Sequence, residues 1–113
     1  MNQQEREVTR RESLARKRIA EPAPGTEERG AVRMFVAHHL SEIEPAYWVK
    51  HFGSARPSED TVIKGLVLHK HWGEEDEDGI DVFDFTLPGD VTDYKLAIYF
   101  AGDGLIDHLT MES

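Results

Sequence analysis

The last third of the chain alternates between apolar and polar residues, and this alternation constrains the fold most strongly. Three segments, near residues 80–86, 94–101 and 105–111, have the period of two that is typical of β-strands with two different faces. The turn signals Leu87-Pro88-Gly89-Asp90 and Gly102-Asp103-Gly104 separate them. Strands joined by such short turns predict an antiparallel β-meander.

Helical signals precede these strands. Ser41-Glu42-Ile43-Glu44 has the form of a capping box, Pro45 suits a first helical turn, and Gly53 is a typical end. A second helix is predicted from the cap Ser58 to Trp72. Helices followed by strands predict an α+β domain, in which a three- to four-stranded meander is covered on one face by two or more helices.

The sequence also bears on residues 31–40, on Gly65 and on which side chains form the core. Residues 31–40 favour a strand through Val36, although a helix also fits them. Gly65, inside the second predicted helix, marks a close approach to another element. The large apolar residues that match the local period are predicted to be buried: Trp48, Phe52, Ile63, Leu66, Phe85, Leu96, Ile98 and Leu109.

The first 30 residues are predicted to be a charged extension outside the main domain. They offer few large apolar side chains, with a helix expected over residues 9–20. Glu21-Pro22-Ala23-Pro24-Gly25 then reads as a stiff linker. We therefore place the domain boundary at about Gly30, predict one α+β domain over residues 31–113, and expect the extension to be dispensable for folding.

Charge is unevenly distributed along the chain. The net charge is −9, and residues 31–113 hold 16 of the 22 acidic side chains but only 6 of the 13 basic ones. An acidic protein repels nucleic acid and favours basic partners or cations. The extension carries the basic cluster Arg16-Lys17-Arg18, which suggests either an arm for nucleic acid or membranes, or a solvated arm that docks on the chain's own acidic face.

Other compositional features exclude several classes of protein. There is no cysteine, which excludes disulfide frameworks, thiol catalysis and thiolate metal sites. No apolar run approaches the roughly 20 residues that span a bilayer. Residues 1–6 carry charge in place of an apolar stretch, which predicts no secretory signal and a cytoplasmic location.

Residues 74–84, here called the acidic segment, are the strongest compositional feature. The stretch from His71 to Tyr94 has no lysine or arginine. Burying so many like charges is costly, so we expect the acidic segment to face water or a cationic partner. Its carboxylates are the predicted partner-binding residues: Glu74, Glu75, Asp76, Glu77, Asp78, Asp81 and Asp84.

Two further interpretations of the sequence concern metal binding and catalysis. The acidic segment resembles the start of a calcium loop, but its twelfth position is Phe85, and an EF-hand is therefore rejected. His69 and His71 with Asp84 suggest, as the alternative function, a metal-dependent or acid–base enzyme. The simpler interpretation of Asp84 is a charge on an edge strand that prevents aggregation. We predict no metal, cofactor or catalytic residue.

Two stretches resemble an uncharacterised bacterial family, domain of unknown function number two thousand and four. They are His38-His39-Leu40-Ser41-Glu42-Ile43-Glu44-Pro45-Ala46-Tyr47-Trp48 and Asp76-Glu77-Asp78-Gly79-Ile80-Asp81-Val82-Phe83-Asp84-Phe85-Thr86-Leu87-Pro88-Gly89-Asp90-Val91-Thr92. The resemblance covers about residues 31–113. It implies a small bacterial cytoplasmic α+β domain and brings no catalytic residues.

The charge pattern predicts a protein-binding module as the function. Carboxylates on a small scaffold attract basic proteins and raise association rates. An immunity-type inhibitor or an adaptor protein that engages a basic partner through residues 74–84 fits this pattern. No nucleic acid is expected to bind the main domain, and no membrane is expected as a partner.

Overall fold

The computed structural model describes residues 2–113, which form four helices and one four-stranded antiparallel sheet. The helices are α1 (Gln3–Ala20), α2 (Glu27–Glu42), α3 (Pro45–Phe52) and α4 (Glu59–Lys64). The strands are β1 (Val67–Trp72), β2 (Val82–Thr86), β3 (Lys95–Phe100) and β4 (Ile106–Glu112). They lie in chain order, β1-β2-β3-β4, and every neighbouring pair is antiparallel. The predicted α+β meander with a helical N-terminal extension is confirmed.

The two faces of the sheet have different surroundings. On one face Phe83, Ile98 and Leu109 lie opposite one another and join the core that the helices cover. We call the other side the open face, because within residues 2–113 no hydrogen bond or aromatic contact joins its side chains to a helix. Strand alternation and pairing assign these side chains to it: Val67, Lys70, Trp72, Val82, Asp84, Thr86, Lys95, Ala97, Tyr99, His108, Thr110 and Glu112.

The core lies between the helices and the covered face. Six of the predicted core residues are buried: Trp48, Leu66, Phe85, Leu96, Ile98 and Leu109. Phe52 and Ile63 are only partly buried, but both pack against this core. The periodicity therefore identified residues that face the core, although Val67, which fits the same helical stripe as Leu66, is 39% exposed.

The prediction of one helix from Ser58 to Trp72 was wrong, because α4 ends at Lys64 and β1 follows. Ser58 caps α4 as predicted, and its hydroxyl accepts a hydrogen bond from the Thr61 N–H at 3.2 Å. Gly65 closes the helix and lies so close to Phe52 that a Cβ at this position would collide with its ring. The following residues satisfy their backbone groups by pairing with β2.

Residues 31–40 form a helix, so the strand prediction for this segment was wrong and the helical alternative holds. Thr26 caps α2, and residues Val32, Phe35, Val36 and His39 bury one helical stripe. Ser41 lies inside α2, so the predicted capping box does not form. The residue that precedes α3 is Glu44, whose side chain makes no cap hydrogen bond, whereas Pro45 and Gly53 hold their predicted places.

The N-terminal extension is part of the packed structure. The boundary predicted at about Gly30 falls inside α2, and the core continues across it. Helix α1 buries Ala15 and Ile19 completely or almost completely, at 0% and 1% exposed. Arg11, at 7% exposed, is buried on the same helix face. Apolar contact, rather than charge alone, therefore holds the extension on the domain.

We expect Ile19→Ala to lower the free energy of unfolding by about 2–5 kcal/mol, because it removes a buried side chain and leaves a cavity. Lys17→Ala, on the exposed side of the same helix, is the matched control and should change stability by less than about 0.5 kcal/mol. Denaturant titration measures both. A loss below about 1 kcal/mol for Ile19→Ala would show that α1 is dispensable, as the sequence suggested.

Candidate functional site

Six of the seven predicted binding carboxylates lie in the connection between β1 and β2. This connection, residues 73–81, is here called the acidic loop. All six carboxylates are exposed: Glu74, Glu75, Asp76, Glu77, Asp78 and Asp81. The structure therefore brings them together on one short loop.

Hydrogen bonds close the acidic loop at its base. The Gly73 and Gly79 N–H groups both donate to the Asp76 carbonyl, at 2.7 and 2.9 Å. The Asp81 N–H donates to the Trp72 carbonyl at 3.0 Å. A Cβ built on Gly79 would lie 2.6 Å from the Gly73 Cα, so the two glycine backbones touch where no side chain fits. The carboxylates thus project from a closed turn.

His71 supports this loop from beneath. Its Nδ1–H donates to the Gly79 carbonyl at 2.8 Å, since a carbonyl can only accept. Its ring stacks on Phe83 with a centroid separation of 5.2 Å. The imidazole is therefore engaged in packing on the covered side of the sheet.

Arg11 contacts the backbone of the acidic loop, because its guanidinium donates to the Ile80 carbonyl at 2.7 Å. Within residues 2–113, no loop carboxylate forms an ion pair. Four of the five basic side chains in residues 10–18 pair elsewhere: Arg10 and Arg11 with Glu7, Arg16 with Glu12, and Arg18 with Glu28. The N-terminal extension therefore contacts the acidic loop at a backbone carbonyl, and within residues 2–113 it forms no ion pair with the carboxylates of the loop.

The residues of the alternative enzyme site do not converge. His71 lies on the covered face, whereas Asp84 lies on the open face opposite Lys70. His69 is exposed at the irregularity in the pairing of β1 with β2. Within residues 2–113, no three side chains of the metal-ligating types are grouped to hold an ion.

Asp84 departs from both sequence-based interpretations. It is 6% exposed on β2, a central strand, so it belongs neither to the exposed binding surface nor to an edge. The Trp72 indole N–H donates to its Oδ2 at 2.9 Å. Burial raises the pKa of the Asp84 carboxyl; the indole hydrogen bond opposes the shift, Glu112 adds to it, and Lys95 and Lys70 oppose it. The sequence could not reveal this burial, because alternation does not tell a central strand from an edge.

The open face brings together a second group that the sequence analysis did not identify. Trp72 meets Tyr99 edge-on at 6.4 Å, and Tyr99 stacks on His108 at 4.4 Å, so the three rings form a row across the sheet. The Tyr99 hydroxyl donates to Glu112 Oε2 at 2.6 Å. The only signal in the sequence is the alternation of Tyr99 with its neighbours, which cannot place Trp72 beside it.

Comparison with protein-family models, with curated proteins and with solved structures finds no match to this chain. The family resemblance therefore stays a prediction. Among residues 2–113, no helix combines the length and apolar character needed to cross a membrane.

We expect Asp84→Asn to raise the melting temperature at neutral pH. Folding raises the pKa of this carboxyl above its ordinary 3.8, because burial favours the neutral form. The contribution of this group to the free energy of unfolding is therefore most favourable below pH 3.8, and it is lost as the pH rises through the shifted pKa and the buried carboxyl ionises. The amide oxygen still accepts the Trp72 hydrogen bond, but the buried charge is gone. The gain should disappear below pH 3.8.

Thermal melts at several pH values measure this effect. Asp81→Asn removes an exposed carboxylate of the acidic loop and is the matched control, for which we expect little change. A lower melting temperature for Asp84→Asn at neutral pH would contradict the assigned cost of the buried charge.

Proposed function

We propose that this chain is a protein-binding module that engages a basic partner through the acidic loop. The single observation that carries the proposal is the exposure of six carboxylates on a closed turn with no internal ion pair within residues 2–113. An immunity-type inhibitor or an adaptor that binds a basic protein requires such an exposed acidic surface.

Electrostatics supports a cationic partner. Two like charges about 4 Å apart in water repel by roughly 1 kcal/mol, and residues 74–78 are five consecutive carboxylates. A partner that brings lysine or arginine side chains relieves this repulsion and is steered toward the loop. Because hydrogen bonds already close the loop, binding needs little ordering of its backbone.

Asp84 does not belong to this surface, because it is buried. The proposed interaction residues are therefore the six exposed carboxylates of the acidic loop: Glu74, Glu75, Asp76, Glu77, Asp78 and Asp81. Cytoplasmic location, bacterial origin and membership of the family named above remain parts of the same proposal, and they rest on the sequence alone.

Reversal of three loop charges, E75K/E77K/D78K, should weaken binding to a basic partner by at least about tenfold. The partner is identified by co-purification, and its association with the purified chain is then measured by surface plasmon resonance between about 0.05 M and 0.5 M salt. The main loss should be in the association rate, and salt should reduce the difference between the variants. The melting temperature should change little, because the three side chains are exposed.

The matched control is E42K/E44K/D93K, which changes the net charge equally at exposed sites outside the acidic loop. It should weaken binding much less. If the loop reversal unfolds the chain, or if both triple variants bind like the wild type, the acidic loop is not the interaction site.

A further inference from the structure

The open face carries a half-buried carboxylate that has no internal cation. Across β3 and β4, Lys95 lies opposite Glu112. The Lys95 ammonium nevertheless turns to the Asp93 carbonyl, to which it donates at 3.0 Å. Within residues 2–113, the side chain of Glu112 is bonded to the Tyr99 hydroxyl and to no basic group.

This carboxylate adjoins the aromatic row of Trp72, Tyr99 and His108. Trp72 and Tyr99 are half-buried and His108 is exposed, so the row is in contact with solvent. Aromatic faces attract cations, and a planar guanidinium stacks on them better than an ammonium does. The chain uses the same contact on its covered face, where Arg11 lies 5.1 Å from the Phe100 ring centre and Arg16 lies 5.1 Å from that of Phe85.

The row is continuous with the acidic loop. Trp72 ends β1, and Glu74 follows two residues later. Burial raises the pKa of Tyr99 to about 12, and the hydrogen bond to Glu112 adds to the shift. The charges of Glu112, Asp84 and Glu74 raise it further, so three carboxylates act on this hydroxyl. Lys70 and Lys95 also lie on the open face, but within residues 2–113 neither lysine forms an ion pair with Glu112.

We propose that the open face binds an arginine side chain of the basic partner, which lies against the rings of Trp72 and Tyr99 and pairs with the carboxylate of Glu112. This inference rests on the proposed function and adds the chemistry of the partner: an arginine-bearing segment that reaches from the acidic loop onto the sheet. The loop provides attraction for any cation, and the open face distinguishes arginine from lysine.

The test uses two peptides of equal length and charge, one alternating arginine with glycine and the other lysine with glycine. Fluorescence anisotropy of labelled peptides at low salt measures both affinities. The wild-type chain should bind the arginine peptide about three- to fivefold more tightly. Equal affinities for the two peptides would overturn the arginine site, and binding of neither peptide would overturn both proposals.

Three substitutions locate the preference. Glu112→Gln removes the charge but keeps an acceptor for Tyr99, and Tyr99→Leu removes the ring; each should abolish the arginine preference while the lysine peptide still binds. Tyr99→Phe keeps the ring and the carboxylate, and it should keep the preference. If Tyr99→Leu fails to fold, Glu112→Gln carries the test. An arginine preference that survives Glu112→Gln would overturn the proposal.

The variant E75K/E77K/D78K separates this inference from the proposed function. This variant should lower the affinities for both peptides by a similar factor, because the acidic loop does not distinguish arginine from lysine. If it leaves both affinities unchanged while Glu112→Gln removes the arginine preference, the open face binds arginine and the acidic loop is not the interaction site.

Discussion

The position of α1 on the sheet depends on the buried guanidinium of Arg11, together with the apolar burial of Ala15 and Ile19. This guanidinium is buried, lies over the Phe100 ring, and donates to the Ile80 carbonyl at 2.7 Å and to Glu7 at 2.7 Å. Together with Arg10 it lowers the pKa of Glu7 to about 2. A buried charge with several partners is costly to break, so its geometry fixes how α1 lies on the sheet. The same contact ties α1 to the segment that immediately precedes β2.

The position of α1 also determines which charged and aromatic side chains are left for a partner to contact. Arg10, Arg11 and Arg16 of α1 are directed to helix carboxylates, backbone carbonyls and aromatic rings. Within residues 2–113 no carboxylate of the acidic loop forms an ion pair. The core that the helices cover lies on one side of the sheet. On the open face Trp72, Tyr99 and Glu112 are only partly buried, whereas four other side chains are buried: Val82, Asp84, Thr86 and Ala97. A surface with unpaired carboxylates next to aromatic rings is suited to a basic protein, and especially to arginine.

Local patterns in the sequence predicted some of these features and missed others for physical reasons. Strands β2 to β4 followed from alternation and turn residues, and the exposure of the acidic loop followed from the cost of burying like charges. The strand β1 was missed because Val62, Ile63, Leu66 and Val67 fit a helical stripe equally well; contact with Phe52 and pairing with β2 decide the outcome. The proximity of Trp72, Tyr99 and Glu112 depends on the register of all four strands, which no local pattern contains.

Amide hydrogen exchange along α1, measured at low and at high salt, tests most directly whether packing holds this helix and so leaves the acidic loop free. If apolar burial and the Arg11 contacts hold α1, its central amides should be protected as strongly as those of β3 at both salt concentrations. Exchange in α1 that is much faster than in β3, or that accelerates strongly as salt is added, would show that the helix is held by charge on the acidic loop.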